Sequence, residues 1–457
     1  MPTRLLSSIY HRFMRAGDDV RYQTDVAQEG VDNGVDRPNI VVIVTDDMRD
    51  SDWQALPRAR QRVGDNGTTF PNFFLTTPIC SPSRATILTG QYAHNHQVLR
   101  NSGKNAGYAR FKQRNLGEQS ISAALHDVGY RTGLFGKFLN GMPEKGNVPG
   151  GWDQWMATSE LTYYRPQMND NGKERDFKKK KQYSTDILSA RATQFISSTP
   201  TETPLFLYFA PKAPHGPSTP ARRDRGSFDG AHRERSPDFN ESDVSDKPGY
   251  IRRRNGVSEG KMDDLEQKRL ESLIATDDAV EAILDAMQEE GRLDNTYVFV
   301  LSDNGHTMGS HRWATKDVPY DESTRVTMIV SGPMFAGGGI DSRVAANIDI
   351  APTIAAIAGV SFETADGVSL VNPPSRDEIV LEAWSVSYAA LRTERYLYVE
   401  NASGERELYD YENDPFELDN LLADWEGHTP SSEAEDVASG LKPRLDALRD
   451  CAGATCI

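Results

Sequence analysis

A short, mainly apolar run occurs four times along this chain, and each time polar residues follow it directly. The runs cover residues 40–44, 131–135, 205–210 and 297–301. Helical patterns lie between them, as at residues 120–128 and 265–289. Apolar runs of this length are typical of strands that are buried on both faces of a parallel sheet. The sequence therefore predicts an α/β fold in which helices flank a large, mostly parallel sheet.

The polar residues that follow these runs carry groups able to perform chemistry. They are Asp46 and Asp47 after the first run, Lys137 after the second, His215 after the third, and Asp303 and Asn304 after the fourth. In an open α/β sheet the ligand site lies beyond the carboxyl ends of the strands. We therefore expect these side chains to meet at one edge of the sheet.

The acidic residues at this edge predict a divalent cation. Asp46, Asp47 and Asp303 would repel one another strongly if no cation neutralised them. Together with Asn304 they form a set of hard oxygen donors that contains no histidine or cysteine. Such a set favours Ca²⁺, with Mg²⁺ as second choice, over Zn²⁺.

A reactive cysteine is predicted at the beginning of a helix. Ser81 suits the N-cap, Pro82 suits the first helical position, and Gly90 ends the helix. The helix N-terminus would therefore face Cys80, and Arg84 would add a positive charge one turn further on. A thiol in this position is acidified and attracts an oxyanion.

The string Cys80-Ser-Pro-Ser-Arg, continued by Ala-Thr-Ile-Leu-Thr-Gly, resembles the signature of the type I sulfatases. In that family the cysteine is oxidised after translation to formylglycine. The resemblance extends from about residue 38 to about residue 420, with the motifs in the family's order. Segments 136–141, 246–252 and 303–309 resemble in particular the N-acetylglucosamine-6-sulfatase branch, which is close to the arylsulfatases. The resemblance implies an alkaline-phosphatase-like fold and a sulfuric ester hydrolase.

The resemblance also implies roles for individual residues. The metal ligands would be Asp46, Asp47, Asp303, Asn304 and the formylglycine made from Cys80. The groups that hold the formylglycine, the sulfate and the leaving group would be Arg84, Lys137, His215 and Lys316. Further candidates for substrate contact are Asn140 and His306, and His311 is a candidate for substrate contact or support. The formylglycine-generating enzyme would be a partner during maturation.

The mechanism that this resemblance implies begins with hydration of the aldehyde to a gem-diol. One hydroxyl attacks the sulfur of a sulfate ester, and His215 or Lys316 protonates the leaving alcohol. The second hydroxyl then loses its proton and collapses to the aldehyde, which expels the sulfate. Many arylsulfatases carry a histidine two residues after the lysine of the Gly-Lys motif, where this chain has Leu139. The base that helps to expel sulfate is therefore unassigned.

Two other functions remain open. A formylglycine-dependent phosphonate or phosphate ester hydrolase could share the fold and a tetrahedral substrate. A two-zinc phosphatase would need further histidine and aspartate ligands, which disfavours it. A non-catalytic protein that binds sulfated glycans through an unmodified Cys80 is the second alternative.

Composition excludes several classes of partner. The 457 residues include 51 Lys and Arg against 67 Asp and Glu, and the resulting net charge of −16 disfavours nucleic acid and anionic membranes. The sequence contains no run of eighteen apolar residues that would predict a membrane span, and its beginning lacks the pattern of a signal peptide. A disulfide between Cys451 and Cys456 would favour an extracytoplasmic compartment, whereas two free thiols would not. The compartment therefore stays open.

We predict three parts along the chain: a loosely ordered lead-in at 1–36, a catalytic domain at 37–370 and a small α+β subdomain at 371–457. The subdomain is expected to contain a small antiparallel sheet, with strands near 378–383, 387–391, 396–399 and 405–409, and a closing helix at 432–449. A charged, Gly- and Pro-rich segment at 217–262 is either a surface loop or a cover over the site.

Overall fold

The computed structural model describes residues 37–146, 148–158, 162–374, 376–425 and 427–456. The predicted lead-in at residues 1–36 lies outside these ranges. The strands are β1 (Asn39–Thr45), β2 (Thr68–Phe70), β3 (Phe73–Phe74), β4 (Arg131–Lys137), β5 (Gln154–Thr158), β6 (Gln167–Asp170), β7 (Lys173–Asp176), β8 (Leu205–Ala210), β9 (Thr296–Ser302), β10 (Met328–Ser331), β11 (Gly339–Ile340), β12 (Ala345–Ala346), β13 (Glu378–Ala383), β14 (Tyr388–Thr393), β15 (Tyr396–Asn401) and β16 (Arg406–Asp410).

The large sheet contains ten strands in the order β11-β2-β10-β9-β1-β8-β4-β5-β6-β7. Its five central strands, from β9 to β5, run parallel to one another. Antiparallel strands flank them, with β10 and β2 on one side and β6 and β7 on the other. All four apolar runs predicted as strands form central strands of this sheet. The predicted mixed, mostly parallel sheet is confirmed.

Helices cover both faces of the sheet. Side chains alternate between the two faces of each strand, so a strand that is apolar throughout needs a covering layer on each face. The helices are Pro57–Ala59, Cys80–Thr89, Ala93–His96, Gly107–Gln113, Ile121–Asp127, Ser184–Ser197, Gly249–Arg252, Glu259–Glu289, Asp321–Thr324, Ile350–Ala358 and Ser432–Leu448. Short 3₁₀ or π segments are Asp50–Ala55, Arg60–Gly64, Leu293–Asn295, Pro333–Phe335, Asn347–Asp349 and Gly453–Cys456.

Strand β1 shows how the two cores form. Its residues Ile40, Val42 and Val44 pack in the same core as the Cys80–Thr89 helix. The intervening Val41 and Ile43 pack in the opposite core, with the apolar side of the long Glu259–Glu289 helix. That helix begins six residues before the predicted position 265, and so the Gly- and Pro-rich segment ends earlier than predicted. Burial on both faces explains why β1 is apolar without alternation.

The C-terminal part forms a four-stranded antiparallel sheet, β13-β14-β15-β16, with the Ser432–Leu448 helix packed on it. A disulfide joins Cys451 and Cys456, which makes the disulfide reading of the cysteine pattern the correct one. The domain boundary near residue 370 remains a prediction. Among the helices in the described part of the chain, none combines the length and the apolar character that crossing a bilayer requires.

Candidate active site

The central parallel strands bring the predicted site residues to one edge of the sheet. Asp46 and Asp47 follow β1, Lys137 ends β4, His215 lies in the loop after β8, and Asp303 and Asn304 follow β9. Backbone hydrogen bonds join neighbouring strand ends there, since the Asp303 amide donates to Thr45 O at 3.1 Å and the Asp46 amide to Ala213 O at 3.2 Å. The side chains therefore project from a rigid platform.

A close approach between two strands helps to place Lys137. Gly136 has a φ of 134°, and a Cβ atom there would lie 1.9 Å from the carbonyl oxygen of Ala210 on β8. Only glycine tolerates both the conformation and the contact. The Lys137 ammonium then reaches Asp46, with Nζ 2.5 Å from Oδ2.

Cys80 is the first residue of the Cys80–Thr89 helix, and Ile79, in extended conformation, takes the N-cap position. The prediction that Ser81 is the N-cap was therefore wrong by two residues. Instead, the Ser81 amide donates to Asn101 Oδ1 at 2.8 Å, and the Ser81 hydroxyl contacts Asn140 Oδ1 at 2.9 Å. The helix ends at Gly90, as predicted, with a φ of 67°.

The Cys80 thiol lies among charged groups from three different segments. Its Sγ atom is fully buried, 3.0 Å from Lys316 Nζ and 3.6 Å from Asp46 Oδ1. Burial raises the pKa of the thiol, but the positive charges of Lys137 and Lys316 outweigh this and lower it. The position has the electrostatic character of a reactive group rather than of a packing residue.

Arg84 contributes a third positive charge near the cysteine. Its Nε atom lies 2.8 Å from Asp303 Oδ2, and its Nη1 atom donates to the carbonyl oxygen of Lys137 at 2.9 Å. The Nη2 atom is buried without a hydrogen-bond partner among the described residues. Because an unpaired buried donor is costly, this atom is available for an oxyanion.

Asp47 adopts a conformation that is rare outside glycine, with a φ of 73°. Its backbone amide donates to Asp303 Oδ1 at 3.2 Å, and its carbonyl oxygen accepts from the Arg269 guanidinium. Arg269 is itself anchored to the buried Asp52, with Nη2 2.6 Å from Oδ2. These contacts fix the direction of the Asp47 carboxylate.

The carboxylates at this edge meet cationic groups. Burial would raise the pKa of Asp46, but Lys137 and His215 hold it far below its usual range. In the same way, the charges of Lys316 and His215 overcome burial and lower the pKa of Asp47. Asp46 and Asp47 are therefore ionised and suited to bind a cation.

The donor set fits a divalent cation. Ligand atoms of Asp46, Asp47, Cys80 and His215 all lie within 4.8 Å of one another. The Lys316 ammonium contacts Asp47 Oδ1, and it lies 3.3 Å from Asn304 Oδ1. A positive group therefore already lies where predicted metal donors converge. Asp303 is one of the predicted metal ligands. Its Oδ2 atom also accepts a hydrogen bond from Arg84, and its Oδ1 atom accepts one from the Asp47 amide.

The remaining histidines differ in their surroundings. His306 is 9% exposed and lies near Asp47 and Lys316, with its Nδ1 atom unpartnered among the described residues. His94 contacts Glu382 and His96 contacts Thr86, so both have hydrogen-bond partners away from Cys80. His126, His232 and His428 are all at least partly exposed.

His311 is completely buried, between two glutamates. Its Nδ1 atom lies 2.7 Å from Glu241 Oε2, and its Nε2 atom lies 3.7 Å from Glu417 Oε2. Nearby, the Asn240 amide donates to the carbonyl oxygen of Gly309 at 2.9 Å. The 217–262 segment thus packs on the loop that carries Lys316, which makes it more than a free surface loop.

The His311 cluster predicts a pH-dependent stability. Burial alone would lower the pKa of His311, but Glu241 and Glu417 raise it from 6.5 to about 9. The stabilisation is complete below pH 6.5 and is lost as the pH rises to about 9. We expect the wild type to exceed His311→Asn by about 3 kcal/mol in free energy of unfolding at pH 6, and the gap to shrink by pH 9.5.

Urea unfolding at both pH values measures this difference. His126→Asn, which changes an exposed histidine, serves as the matched control and should follow the wild type at each pH. An equal gap between wild type and His311→Asn at pH 6 and pH 9.5 would contradict the assignment of a protonated, buried His311.

Comparison with known proteins decides the family. The sulfatase family model matches residues 38–360, and the model for the C-terminal part of N-sulphoglucosamine sulphohydrolase matches residues 309–450. The chain belongs to the sulfatase family. Membership implies a divalent metal ion and a formylglycine, and the site described above offers residues for both.

Two curated relatives illustrate the family. A Sulf-1 homolog from Caenorhabditis elegans, named as an extracellular sulfatase, is 33% identical over 334 residues, which cover 70% of this chain and 47% of the relative. N-acetylglucosamine-6-sulfatase from Homo sapiens is 32% identical over 360 residues, which cover 75% of this chain and 65% of the human protein. The chain thus spans about half to two thirds of the length of these relatives.

Solved structures of the same fold extend the comparison. A protein in complex with its substrate D-glucosamine-2-N,6-O-disulfate superposes with a TM-score of 0.76 at 21% identity, covering 90% of this chain and 98% of that chain. The phosphonate monoester hydrolase of Agrobacterium radiobacter reaches a TM-score of 0.68 at 21% identity, covering 90% and 95%. At these identities the likeness shows the fold, and the alkaline-phosphatase-like prediction is confirmed.

Proposed function

We propose that this sulfatase-family chain hydrolyses carbohydrate sulfate esters through a formylglycine formed from Cys80. One observation carries the proposal: the fully buried Sγ atom of Cys80 lies at a helix N-terminus, 3.0 Å from Lys316 Nζ and 3.6 Å from Asp46 Oδ1. A nucleophile made from this residue would meet its substrate among groups that stabilise negative charge. A formylglycine-generating enzyme would be needed during maturation.

Three cationic side chains are placed to bind a sulfate group. The charges of Lys137 and Lys316 both act on Cys80, and the Nη2 atom of Arg84 is buried without a hydrogen-bond partner among the described residues. Charge that develops on sulfate oxygens during attack would be stabilised by these fixed donors without reorganisation. The same positive charges account for how an acidic protein can accept an anionic substrate.

The metal that best suits this site is Ca²⁺, with Mg²⁺ as second choice. We assign its binding to Asp46, Asp47, Asp303, Asn304 and the modified residue 80, because hard oxygen donors predominate. When bound, the ion would acidify a hydroxyl of the hydrated residue 80 and offset charge on the sulfate. Lys316, which contacts Asp47 here, would then turn toward the substrate.

His215 is the best candidate for the proton donor. Its Nε2 atom lies 3.8 Å from Asp47 Oδ2, its Nδ1 atom lies 2.9 Å from the carbonyl oxygen of Gly216, and its ring hydrogen-bonds Cys80. Leu139, the position at which many arylsulfatases have a histidine, is fully buried in the core and does not reach the site. The negative charges of Asp46 and Asp47 raise the pKa of His215 to about 9, so its ring is protonated and suited to donate a proton to the leaving alcohol. The base that helps to expel sulfate stays unassigned.

The substrate class is inferred from the relatives. Since one relative is named for N-acetylglucosamine-6-sulfate and one structural neighbour holds a disulfated glucosamine, we propose a sulfated glucosamine residue of an oligosaccharide as the natural ester. Asn140 and His306 remain predicted substrate contacts. The Cys451–Cys456 disulfide favours an oxidising compartment outside the cytoplasm.

A hydrolysis panel tests the proposal. Purified protein with modified residue 80 is assayed on sulfated glucosamines, on aryl sulfates and on phosphonate monoesters. Turnover of sulfate esters with little or no turnover of phosphonates supports the proposal. Preference for phosphonates would favour the alternative hydrolase, and binding without any turnover would favour a glycan-binding protein.

Two variants test the leaving-group roles. Sugar alkoxides are poor leaving groups, and aryl oxides are good ones, so only a sugar sulfate depends strongly on a proton donor. We expect His215→Ala or Lys316→Ala, whichever removes the donor, to reduce kcat/KM by about 10²–10⁴-fold on a sugar sulfate and much less on an activated aryl sulfate. Equal losses on the two substrates would argue against a leaving-group role for that residue.

A further inference from the structure

A positively charged cavity, separate from the site at Cys80, lies beside the loop that carries Lys316. It has a volume of about 440 Å³, and its lining includes Arg252, Arg253 and Arg312 together with the serines Ser242 and Ser245. We call these five residues the arginine pocket. The acidic residue in the lining is Asp243, so the lining carries a net charge of +2, from three arginines less one aspartate, in a protein whose net charge is −16.

The guanidinium of Arg312 is held in place without being neutralised. Its Nε atom donates to the carbonyl oxygen of Glu241 at 2.8 Å, and its Nη2 atom donates to that of Ser242 at 2.7 Å. The backbone of Arg312 has a φ of 60°, and that of the preceding His311 has a φ of 49°. A bulky residue rarely adopts this conformation, and strain of this kind is frequent at ligand sites.

Arg253 supplies the charge that is accessible. Its side chain is exposed, and no acidic side chain among the described residues forms an ion pair with it. A Cβ atom at Gly249 would lie 2.9 Å from Arg253 Nη1, so the glycine allows the guanidinium to fold back over the cavity. Arg252, by contrast, pairs with Glu405 at 3.0 Å and stacks on Trp425.

The arginine pocket is close to the catalytic groups. Arg312 precedes Lys316 by four residues, a length of chain that spans at most about 14 Å. The buried contact between His311 and Glu241 fixes the same loop to the segment that forms the pocket wall. A substrate longer than one sugar could therefore reach both places.

We propose that the arginine pocket binds a second anionic group, a sulfate or a carboxylate, on a neighbouring sugar of the substrate. The inference rests on the proposed function, and it extends that function from a single sulfated sugar to an anionic oligosaccharide. Arg253 and Arg312 bind the oxyanion through charge-assisted hydrogen bonds, with the hydroxyls of Ser242 and Ser245 beside them. The pocket determines preference for chain length and charge, and it takes no part in the chemistry at residue 80.

The test compares two substrates in three proteins. The substrates are a glucosamine 6-sulfate monosaccharide and a tetrasaccharide of alternating sulfated glucosamine and uronic acid. The proteins are the wild type, Arg253→Glu and the matched control Arg225→Glu, which changes an exposed arginine of the same segment outside the pocket. We expect Arg253→Glu to raise KM for the tetrasaccharide about tenfold or more, and to leave the monosaccharide and kcat unchanged.

Several results would overturn the inference. One is a ratio of kcat/KM between the two substrates that stays the same in Arg253→Glu as in the wild type. Another is an Arg225→Glu variant in which this ratio changes as much as in Arg253→Glu. Calorimetric binding of inorganic sulfate alone, as tight as that of the tetrasaccharide and equally lost in Arg253→Glu, would show a site for free sulfate instead. Absence of turnover on both substrates in all proteins would contradict the proposed function, whereas Arg253-dependent binding of the tetrasaccharide would still support the pocket.

Discussion

Replacement of Cys80 by alanine is expected to reduce turnover of a sulfate ester by about 10⁴-fold or more, because it removes the nucleophile. The side chain is fully buried, and its Sγ atom is in contact with Lys316 and Asp46. Alanine fits this space without a clash, so the free energy of unfolding should change little. Steady-state kinetics on an aryl sulfate and thermal unfolding measure the two effects separately.

Binding of sulfate should survive in the Cys80→Ala variant. The cationic groups of Lys137, Lys316 and Arg84 remain, and they are the groups to which we assign sulfate binding. A variant that keeps the wild-type rate would contradict the assignment of the nucleophile. A variant that is inactive because it does not fold would be recognised by its lost thermal transition, and Cys80→Ser, which is closer in shape, would then replace it.

Replacement of Asp303 by alanine is expected to remove both the bound cation and activity. The carboxylate faces Arg84, with Oδ2 2.8 Å from Nε, and the Asp47 amide, at 3.2 Å from Oδ1. Both Asp303 and Arg84 are almost completely buried, so the substitution leaves a buried positive charge without its partner. Loss of one member of such a pair costs about 3–5 kcal/mol in free energy of unfolding.

Asp303→Asn serves to separate loss of the cation from loss of folding stability. The amide keeps an oxygen for the Asp47 amide but loses the negative charge that a cation requires. We expect calcium, measured by elemental analysis after dialysis, to be retained in the wild type and lost in both variants, with turnover reduced at least about 10³-fold. Stoichiometric zinc in an active wild-type sample would contradict the choice of metal, and full activity of Asp303→Asn would contradict the ligand set.

The parallel core and its functional edge could be predicted because they follow from local patterns. A buried parallel strand such as β1 must be apolar throughout, and Asp46 and Asp47 must then lie at the carboxyl edge that the strands share. The four C-terminal strands were predicted within two residues at each end, since alternation and turn residues mark them. For the same reason the Gly90 end of the cysteine helix was correct.

Contacts between distant segments could not be predicted in the same way. Arg269 lies within a long helix and looks like a surface residue, yet its guanidinium contacts the carbonyl oxygen of Asp47, 222 positions away. Serine is a residue type that favours the N-cap position. Ser81 does not cap the helix, because it hydrogen-bonds Asn101 and Asn140 from distant segments. One signal was available for the left-handed backbone of Asp47, because aspartate tolerates that conformation better than most residues.

The central claim is that residue 80 acts as formylglycine, and mass spectrometry of one peptide tests it most directly. Trypsin is expected to release residues 63–84 as a single peptide that contains Cys80, since its only lysine or arginine is the final Arg84. The protein is made with a formylglycine-generating enzyme and assayed before digestion. In an active sample we predict a peptide that is lighter by the change from a thiol-bearing methylene to an aldehyde, and the fraction of this lighter peptide should rise in proportion to activity. An active sample in which residue 80 is cysteine throughout would contradict the account.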